Sequence, residues 1–179
     1  MLKPVRVEKD GKFSELVPYA RGFRLTVEID FPTALIGRQK KTLDLTAESF
    51  RDELQHARTF GFLKDVDRLR QAGFALGASL ENTVAIDGDQ ILNPEGLRYR
   101  DEFIRHKMLD AVGDLALAGL PIIGHFRSWC SGHRMNVAVL EALFADRTAF
   151  EIIEDKRADA VLGPVRTRVA AIACAPSVD

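Results

Sequence analysis

The sequence predicts one domain of the α+β class, a two-layer α/β sandwich. Apolar and polar residues alternate over 23–29 and again around Leu43 and Leu45, which is the period of a half-buried β-strand. An apolar stripe at helical spacing runs along 101–118. Strands and helices do not alternate regularly along the chain, so the order of elements favours separate layers over a doubly wound parallel sheet.

The first half of the chain is predicted to pass from strands into helices. A basic turn at 38–41 separates the two strands, and a helix over 46–57 begins at Thr46, whose side chain can cap it. A second helix is expected over 64–72, because a glycine follows it as a left-handed stop. Residues 77–86 then return to a strand-like pattern.

The second half contains the strongest helical signal. Apolar residues recur every three or four positions over 101–118, and Gly-Leu-Pro directly after them ends the helix. A strand is expected over 122–129, a helix over 136–144 and a short strand over 150–153. The tail, 157–179, carries little periodicity and is expected to be loosely ordered.

Composition restricts the classes of function. The 25 basic and 26 acidic residues give a formal net charge of -1, and no long block of one sign suits a nucleic-acid or membrane surface. No segment approaches the roughly 20 apolar residues of a membrane span, and the first residues lack the apolar core of a signal peptide. Cys130 and Cys174 are too few for a disulfide framework. The sequence therefore predicts a soluble, cytoplasmic protein with reduced thiols.

Three ionisable residues share one face of the predicted 101–118 helix. His106, Asp110 and Asp114 stand four residues apart, so they drift only about 80° around the helix axis. Imidazole nitrogen and carboxylate oxygen are both zinc ligands, and His106 and Asp110 are close enough in sequence to bind one ion. A solvated helix face produces the same spacing, so the spacing alone leaves both interpretations open.

Two other segments offer reactive groups. Ser131-Gly132-His133 lies between a predicted strand and a predicted helix, where a turn can present His133 as a general acid or base. Cys130 could act as a nucleophile with His133 as its base, but no third group is evident to orient the pair. In the run RTFGF at 58–62, the hydroxyl of Thr59 could donate to an oxyanion, although a tight turn around a buried aromatic residue is the simpler interpretation.

Three runs of sequence together resemble the family of zinc-dependent UDP-3-O-acyl-N-acetylglucosamine deacetylases of lipid A biosynthesis. They are RTFGF at 58–62, LNPEGLRYRDEFIRHKMLDAVGD at 92–114 and SGH at 131–133. The resemblance covers most of the chain up to about residue 153 and corresponds to the C-terminal half of that family. It implies a zinc cofactor and a hydrolysis that releases acetate from the UDP-sugar substrate.

The resemblance implies a role for each of the reactive residues. His106 and Asp110 match two of the family's three zinc ligands. His133 matches the charged histidine that stabilises the tetrahedral intermediate and protonates the leaving amine, and Asp114 matches the carboxylate that orients it. Thr59 matches a hydroxyl that contacts the oxyanion.

The resemblance also implies residues that surround the substrate. Phe60, Asp65 and Lys107 match positions around the sugar and nucleotide. The segment 73–87 corresponds to a small βαβ insert that forms the acyl-chain passage in the family. The expected lining residues of that passage are Val66, Ala75 and Ala78.

Two departures from the family pattern limit what the resemblance implies. The third zinc ligand and the glutamate general base belong to the family's N-terminal half, which this sequence lacks, so a complementary N-terminal domain is an expected partner. Cys130 stands where the family has a lysine that engages the anionic nucleotide portion. Two alternatives therefore stay open: a noncatalytic relative that only binds, and a site in which His56 or His125 supplies the missing ligand.

Overall fold

The structure is a computed structural model that describes residues 1–71, 73, 76–154 and 170–173. The strands within these residues are β1 (Val5–Lys9), β2 (Lys12–Val17), β3 (Phe23–Asp30), β4 (Arg38–Leu45), β5 (Thr59–Phe62), β6 (Thr83–Asp87), β7 (Gln90–Ile91), β8 (Gly124–Trp129), β9 (Glu151–Glu154) and β10 (Ala170–Ala173). The helices are α1 (Ala47–Ser49), which continues as a π-helical turn (Phe50–Leu54), α2 (Leu63–Gln71), α3 (Glu102–Leu115), which ends in a 3₁₀ turn (Ala116–Ala118), and α4 (His133–Ala145).

Five strands form the main sheet, in the order β1-β2-β8-β3-β4. The pair β3 and β8 is parallel, and the other neighbours are antiparallel. Helix α3 packs against β3 and β4, helix α4 packs against β1 and β2, and the two helices also contact each other. Sheet and helices therefore form the two layers that the sequence predicts, and the α+β class is confirmed.

The core lies between these two layers. Alternate residues of β3 point inward, so Leu25, Val27 and Ile29 are buried while their neighbours face outward. They pack with the stripe on α3 that includes Ile104, Met108 and Leu115. Since the stripe occupies one side of α3, its other side is left for polar residues, and the candidate site is built there.

A second, three-stranded sheet has the order β5-β6-β7. Strands β5 and β6 are parallel and α2 connects them, so 59–87 forms a βαβ unit. The predicted insert, 73–87, is the second half of this unit, and its role as an acyl-chain passage stays a prediction. Ala75 lies outside the described residues.

Several predicted boundaries were wrong. The basic residues 38–41 do not form a turn but lie within β4, where Arg38 and Lys40 face Glu28 across the sheet. The turn lies earlier, at 31–37, and ends at Gly37 with a positive φ of 57°. The helix expected over 46–57 is a short α-turn followed by a π-helical turn, although Thr46 does cap it through the backbone of the third helical residue.

The two ends of the chain also differ from expectation. The β1–β2 hairpin was not predicted; its two-residue turn is Asp10-Gly11, both with positive φ. In the predicted tail, Ala170–Ala173 pairs with β9, and the rest of 157–179 lies outside the described residues. Among the helices that the structure describes, none is long and apolar enough to cross a membrane.

Candidate active site

The polar side of α3 and the first turn of α4 bring four predicted site residues together. His106 and Asp110 lie one turn apart on α3, with Nε2 of the imidazole 3.3 Å from Oδ1 of the carboxylate. His133, the first residue of α4, places its Nε2 3.9 Å from Oδ2 of the same Asp110. Asp114 contacts the other nitrogen of His133. The spacing of four residues on α3 therefore does produce a cluster, as predicted.

His133 is held at one end of its ring and open at the other. Its Nδ1 lies 3.0 Å and 2.9 Å from the two carboxylate oxygens of Asp114. The side chain is 67% exposed, whereas that of Asp114 is only 15% exposed. A carboxylate at Nδ1 fixes a proton on that nitrogen, so Nε2 is the atom that can exchange a proton with a ligand.

Behind Asp114 lies a chain of buried hydrogen bonds that the sequence did not predict. Asn136 donates through Nδ2 to Asp114 Oδ2 at 2.9 Å. Its Oδ1 accepts from Ser131 at 2.8 Å and from Ser14 at 3.2 Å, and both Asn136 and Ser14 are buried. Because the carboxylate of Asp114 can only accept, the amide nitrogen of Asn136 must face it, which leaves Oδ1 to face the two serine hydroxyls. The chain therefore orients Asp114 from β2 through α4.

His106 lies in a more apolar environment. The rings of Phe60 and His106 meet edge to face with centroids 6.0 Å apart, and Phe103 packs behind Phe60. Burial lowers the pKa of His106, and the charge of Asp110 acts in the opposite direction. Its Nδ1 is buried and lacks a partner in hydrogen-bonding geometry. The imidazole is therefore favoured in its neutral form, which is the form that binds metals.

Lys107 connects the cluster to a cavity of about 270 Å³. Its ammonium lies 2.7 Å from Oδ2 of Asp110, and its side chain lines the cavity together with Lys12, Cys130 and Ser131. Burial raises the pKa of the Cys130 thiol, so the thiolate needed for nucleophilic attack is disfavoured. The nitrogens of His133 face two aspartates instead, and the arrangement does not favour a thiol enzyme.

The remaining predicted site residues belong to the βαβ unit. Thr59 and Phe60 are the first two residues of β5, and Asp65 lies in the first turn of α2. Phe60 contacts the cluster through its ring, which lies edge to face against that of His106. Thr59 is exposed and adjacent to Phe60 in the chain. Roles for Thr59 and Asp65 toward a substrate stay predictions.

The two facing side chains fit part of a zinc shell. Atoms that each lie about 2.0–2.2 Å from a tetrahedral zinc ion are roughly 3.4 Å apart, close to the 3.3 Å between His106 and Asp110. Within the described residues, no group of three His, Cys, Asp or Glu side chains could hold a metal. His125 does not supply a third ligand, since its Nε2 bonds to Thr26 on the opposite face of the sheet, and His56 is exposed beside Gln55.

A buried ion pair next to the site was also missed from the sequence. Arg58 and Glu102 have side chains that are 1% and 0% exposed, and they join the start of β5 to the start of α3. The same carboxylate accepts the backbone N–H of Arg58 at 3.0 Å and that of Arg98 at 2.6 Å. Both charged residues lie inside conspicuous sequence runs, but neither run indicates that they pair.

Fold and site together define an α+β domain that presents a histidine and aspartate cluster at one face of helix α3. The chain belongs to the family described as LpxC, UDP-3-O-acyl N-acetylglycosamine deacetylase, whose model matches residues 1–145.

Relatives called UDP-3-O-acyl-N-acetylglucosamine deacetylase occur in Brucella ovis, Brucella canis and Brucella suis. Each is 59% identical over 155 residues, which is 86% of this chain and 54% of the relative. The chain therefore spans about half the length of the curated relatives that it matches. The resemblance stated from the three sequence runs is confirmed.

Proposed function

We propose that this chain supplies the C-terminal part of the active site of a zinc-dependent deacetylase that acts on UDP-3-O-acyl-N-acetylglucosamine in lipid A synthesis. The observation that carries the proposal is that the His133–Asp114 pair faces the His106–Asp110 pair. Nε2 of His133 lies 3.9 Å from Oδ2 of Asp110, while its Nδ1 is bonded to Asp114. One pair has the geometry of a proton donor, and the other has donor atoms suited to a metal. Both pairs lie in a chain that belongs to the deacetylase family.

In this proposal His133 handles the proton. The protonated imidazole donates from Nε2 to the leaving amine, while Nδ1–H remains bonded to Asp114. Asp114 stabilises the charged ring, and Asn136 keeps the carboxylate in place by its own hydrogen bond. Because the His133 side chain is 67% exposed and Asp114 occupies Nδ1, a substrate can approach Nε2 without disturbing the hydrogen bond at the other nitrogen.

His106 and Asp110 would hold the metal. When bound, zinc would polarise the acetamide carbonyl of the substrate. Around it, Thr59 would donate its hydroxyl to the developing oxyanion, and Phe60 would form an apolar wall against His106. Lys107 and Asp65 would contact the nucleotide sugar, as the resemblance implies. A cytoplasmic location stays a prediction.

The third metal ligand and the general base would come from a complementary N-terminal domain. The outer face of the main sheet is an unsuitable docking surface, since Arg24 bonds to Asp44 and Arg38 to Glu28 along it. The helix layer differs. Its surface carries an uncharged row of Leu109, Gly113 and Leu117, of which Leu117 is 70% exposed. An apolar row of this kind suits packing against a second domain.

The experiment compares this chain alone with a mixture of the chain and a separately expressed N-terminal half of the Brucella ovis relative. Acetate release from UDP-3-O-acyl-N-acetylglucosamine is measured with zinc and with a chelator. We expect no turnover by either half alone and zinc-dependent turnover by the mixture. Zinc-dependent turnover by this chain alone, lost in His106→Ala, would show that its site is already complete.

A noncatalytic binding domain is the second candidate. It is favoured by one observation, that the described residues contain no group of three metal-binding side chains. If the two halves form a stable complex that binds UDP and zinc but releases no acetate, this second function is supported and the deacetylase proposal fails.

A further inference from the structure

The segment 57–59 reaches the candidate site from outside α3, and a single buried carboxylate fixes it. Glu102 lies one turn before His106 on the same helix and is fully buried. Its Oε1 accepts from the backbone N–H of Arg58 and from the Nε of the same residue, both at 3.0 Å. Its Oε2 accepts from Nη2 of Arg58 at 3.2 Å and from the backbone of Arg98. Four donors therefore converge on this one side chain.

The peptide between Ala57 and Arg58 links Glu102 to the proposed metal site, because fixing its N–H also fixes the direction of its carbonyl. Because the peptide is trans, its N–H and C=O point in opposite directions. With the N–H of Arg58 directed at Glu102, the carbonyl of Ala57 points the other way. Burial lowers the pKa of His106, and the Ala57 backbone is one of the neighbouring groups that oppose this shift, so its carbonyl lies beside the ring.

Of the two nitrogens of His106, Nδ1 is the one whose N–H the Ala57 carbonyl can accept. Nε2 already faces Asp110 at 3.3 Å, whereas Nδ1 is buried and has no partner in hydrogen-bonding geometry. The Ala57 carbonyl is thus near the ring but not in hydrogen-bonding geometry with Nδ1. Histidines that bind metals through one nitrogen commonly donate the other N–H to a carboxylate or backbone carbonyl, which fixes the ring and its tautomer.

We propose that Glu102 is a positioning residue for the metal site: it fixes the Ala57–Arg58 peptide so that the Ala57 carbonyl receives Nδ1–H of His106 and leaves Nε2 for the metal. The same bond fixes the start of β5 and hence the place of Thr59, the next residue in the chain. The proposal rests on the zinc role of His106 given above. In this proposal the guanidinium of Arg58 mainly neutralises the charge of Glu102. The part of Glu102 that matters for the metal site is the side-chain oxygen that accepts the backbone N–H of Arg58.

The test uses two double variants that both remove the buried charges, since a single change would leave one charge unpaired. R58Q/E102Q keeps a side-chain oxygen able to accept the peptide N–H, whereas R58L/E102L has none. Zinc affinity of the intact chain is measured by competition with a chromophoric chelator. We expect R58Q/E102Q to bind like the wild type and R58L/E102L to bind about 10- to 100-fold more weakly, the usual cost of losing such a partner. Glu95→Gln is the control, because Glu95 pairs with the Arg58 guanidinium but is 52% exposed.

Equal zinc affinity in both double variants would overturn the positioning role and leave the proposed function intact. An absence of zinc binding by the wild type and by its complex with the N-terminal half would instead contradict the metal part of the proposed function. A crystal structure of the zinc-loaded wild type gives a second readout that does not depend on how the variants fold. It must show Nδ1 of His106 within hydrogen-bonding distance of the Ala57 carbonyl, and any other acceptor there overturns the proposal.

Discussion

The two halves of the candidate site differ in how completely their polar atoms are bonded. In the proton-donor half, His133, Asp114 and Asn136 form an unbroken chain of hydrogen bonds that ends at Ser14 and Ser131. In the metal half, His106 and Asp110 face each other and Nδ1 of His106 has no bonded partner. The proton-donor half is therefore held in place by hydrogen bonds within the polypeptide. The metal half has its donor atoms in position, but one nitrogen of His106 is left without a hydrogen bond.

The difference indicates which parts of the chemistry this chain can perform unaided. A bonded chain holds His133 before any ligand arrives, so the proton donor is preorganised. Two ligands leave a zinc shell short of the three protein ligands usual in catalytic sites. Under the proposed zinc role, a complementary domain would supply the missing ligand to the metal half, and experiments on the two halves should give effects of different size and kind.

The largest effect is expected from the proton-donor half once the enzyme is assembled. His133→Ala in the mixture with the N-terminal half should lower the rate of acetate release by about 10²- to 10⁴-fold, since that is the usual contribution of a general acid. The measurement is turnover at saturating substrate. Arg134→Ala is the matched control, because Arg134 is the exposed neighbour on the same turn of α4. Equal rates for wild type and His133→Ala would contradict the assignment.

Zinc binding should give the next largest effect. The chain alone is expected to bind zinc weakly, and the N-terminal half should tighten binding by adding a third ligand. His106→Ala should weaken binding by more than the roughly 10- to 100-fold that loss of an outer partner costs. Calorimetric titration measures this, with His125→Ala as the control on the opposite face of the sheet. Tight stoichiometric binding that survives His106→Ala would show that the ion binds elsewhere.

The free energy of unfolding should show how much the hydrogen bonds of Asn136 contribute. Asn136→Leu removes a donor from Asp114 and an acceptor from the two serines, so we expect the free energy of unfolding in urea to fall by about 1–3 kcal/mol. Ser131→Ala is the matched control. It should cost less, because Ser14 still donates to Oδ1 of Asn136 at 3.2 Å. If Asn136→Leu lowers the free energy of unfolding by no more than Ser131→Ala does, the hydrogen bonds of Asn136 contribute little to stability.

The sequence predicted the residues of the cluster better than the bonds that hold it. His106, Asp110 and Asp114 could be placed on one face because helical periodicity is regular and local. Asn136 could not be linked to Asp114, since 22 residues separate them in the chain and only packing of α4 on α3 brings them together. A sequence signal did exist, because Asn136 is a polar residue at a buried position of a mostly apolar helix.

Strand boundaries show the same difference between local and distant causes. The basic run at 38–41 resembles a turn by composition, but β4 is an edge strand whose charged residues pair with β3 across the sheet. The Asp10-Gly11 turn was within reach of local reasoning, because Asp-Gly is a typical hairpin signal. The pairing of Arg58 with Glu102 was not, since it joins residues 44 apart.

The smallest predicted effect is the response of stability to pH, and it again concerns the metal half. Burial lowers the pKa of His106 in the folded chain; Asp110 and the Ala57 carbonyl oppose the shift, and Lys107 and His133 add to it. The unfolded chain then binds a proton more readily, so the free energy of unfolding should be greatest above the ordinary histidine pKa of about 6.5 and fall as the pH drops below it.

Urea unfolding of the metal-free chain between pH 8 and pH 5.5 measures this response. His106→Gln should flatten the decline, because glutamine does not titrate. His125 is the matched comparison on the outer face, where burial and two arginines also lower the pKa. His125 is partly exposed and bonded to Thr26, so the cost of charging it is screened by solvent, and His125→Gln should flatten the decline less. A decline that is unchanged in His106→Gln would mean that folding does not shift the pKa of His106. A decline that is larger than in the wild type would mean that the folded chain stabilises the charged imidazole, as in an ion pair with Asp110.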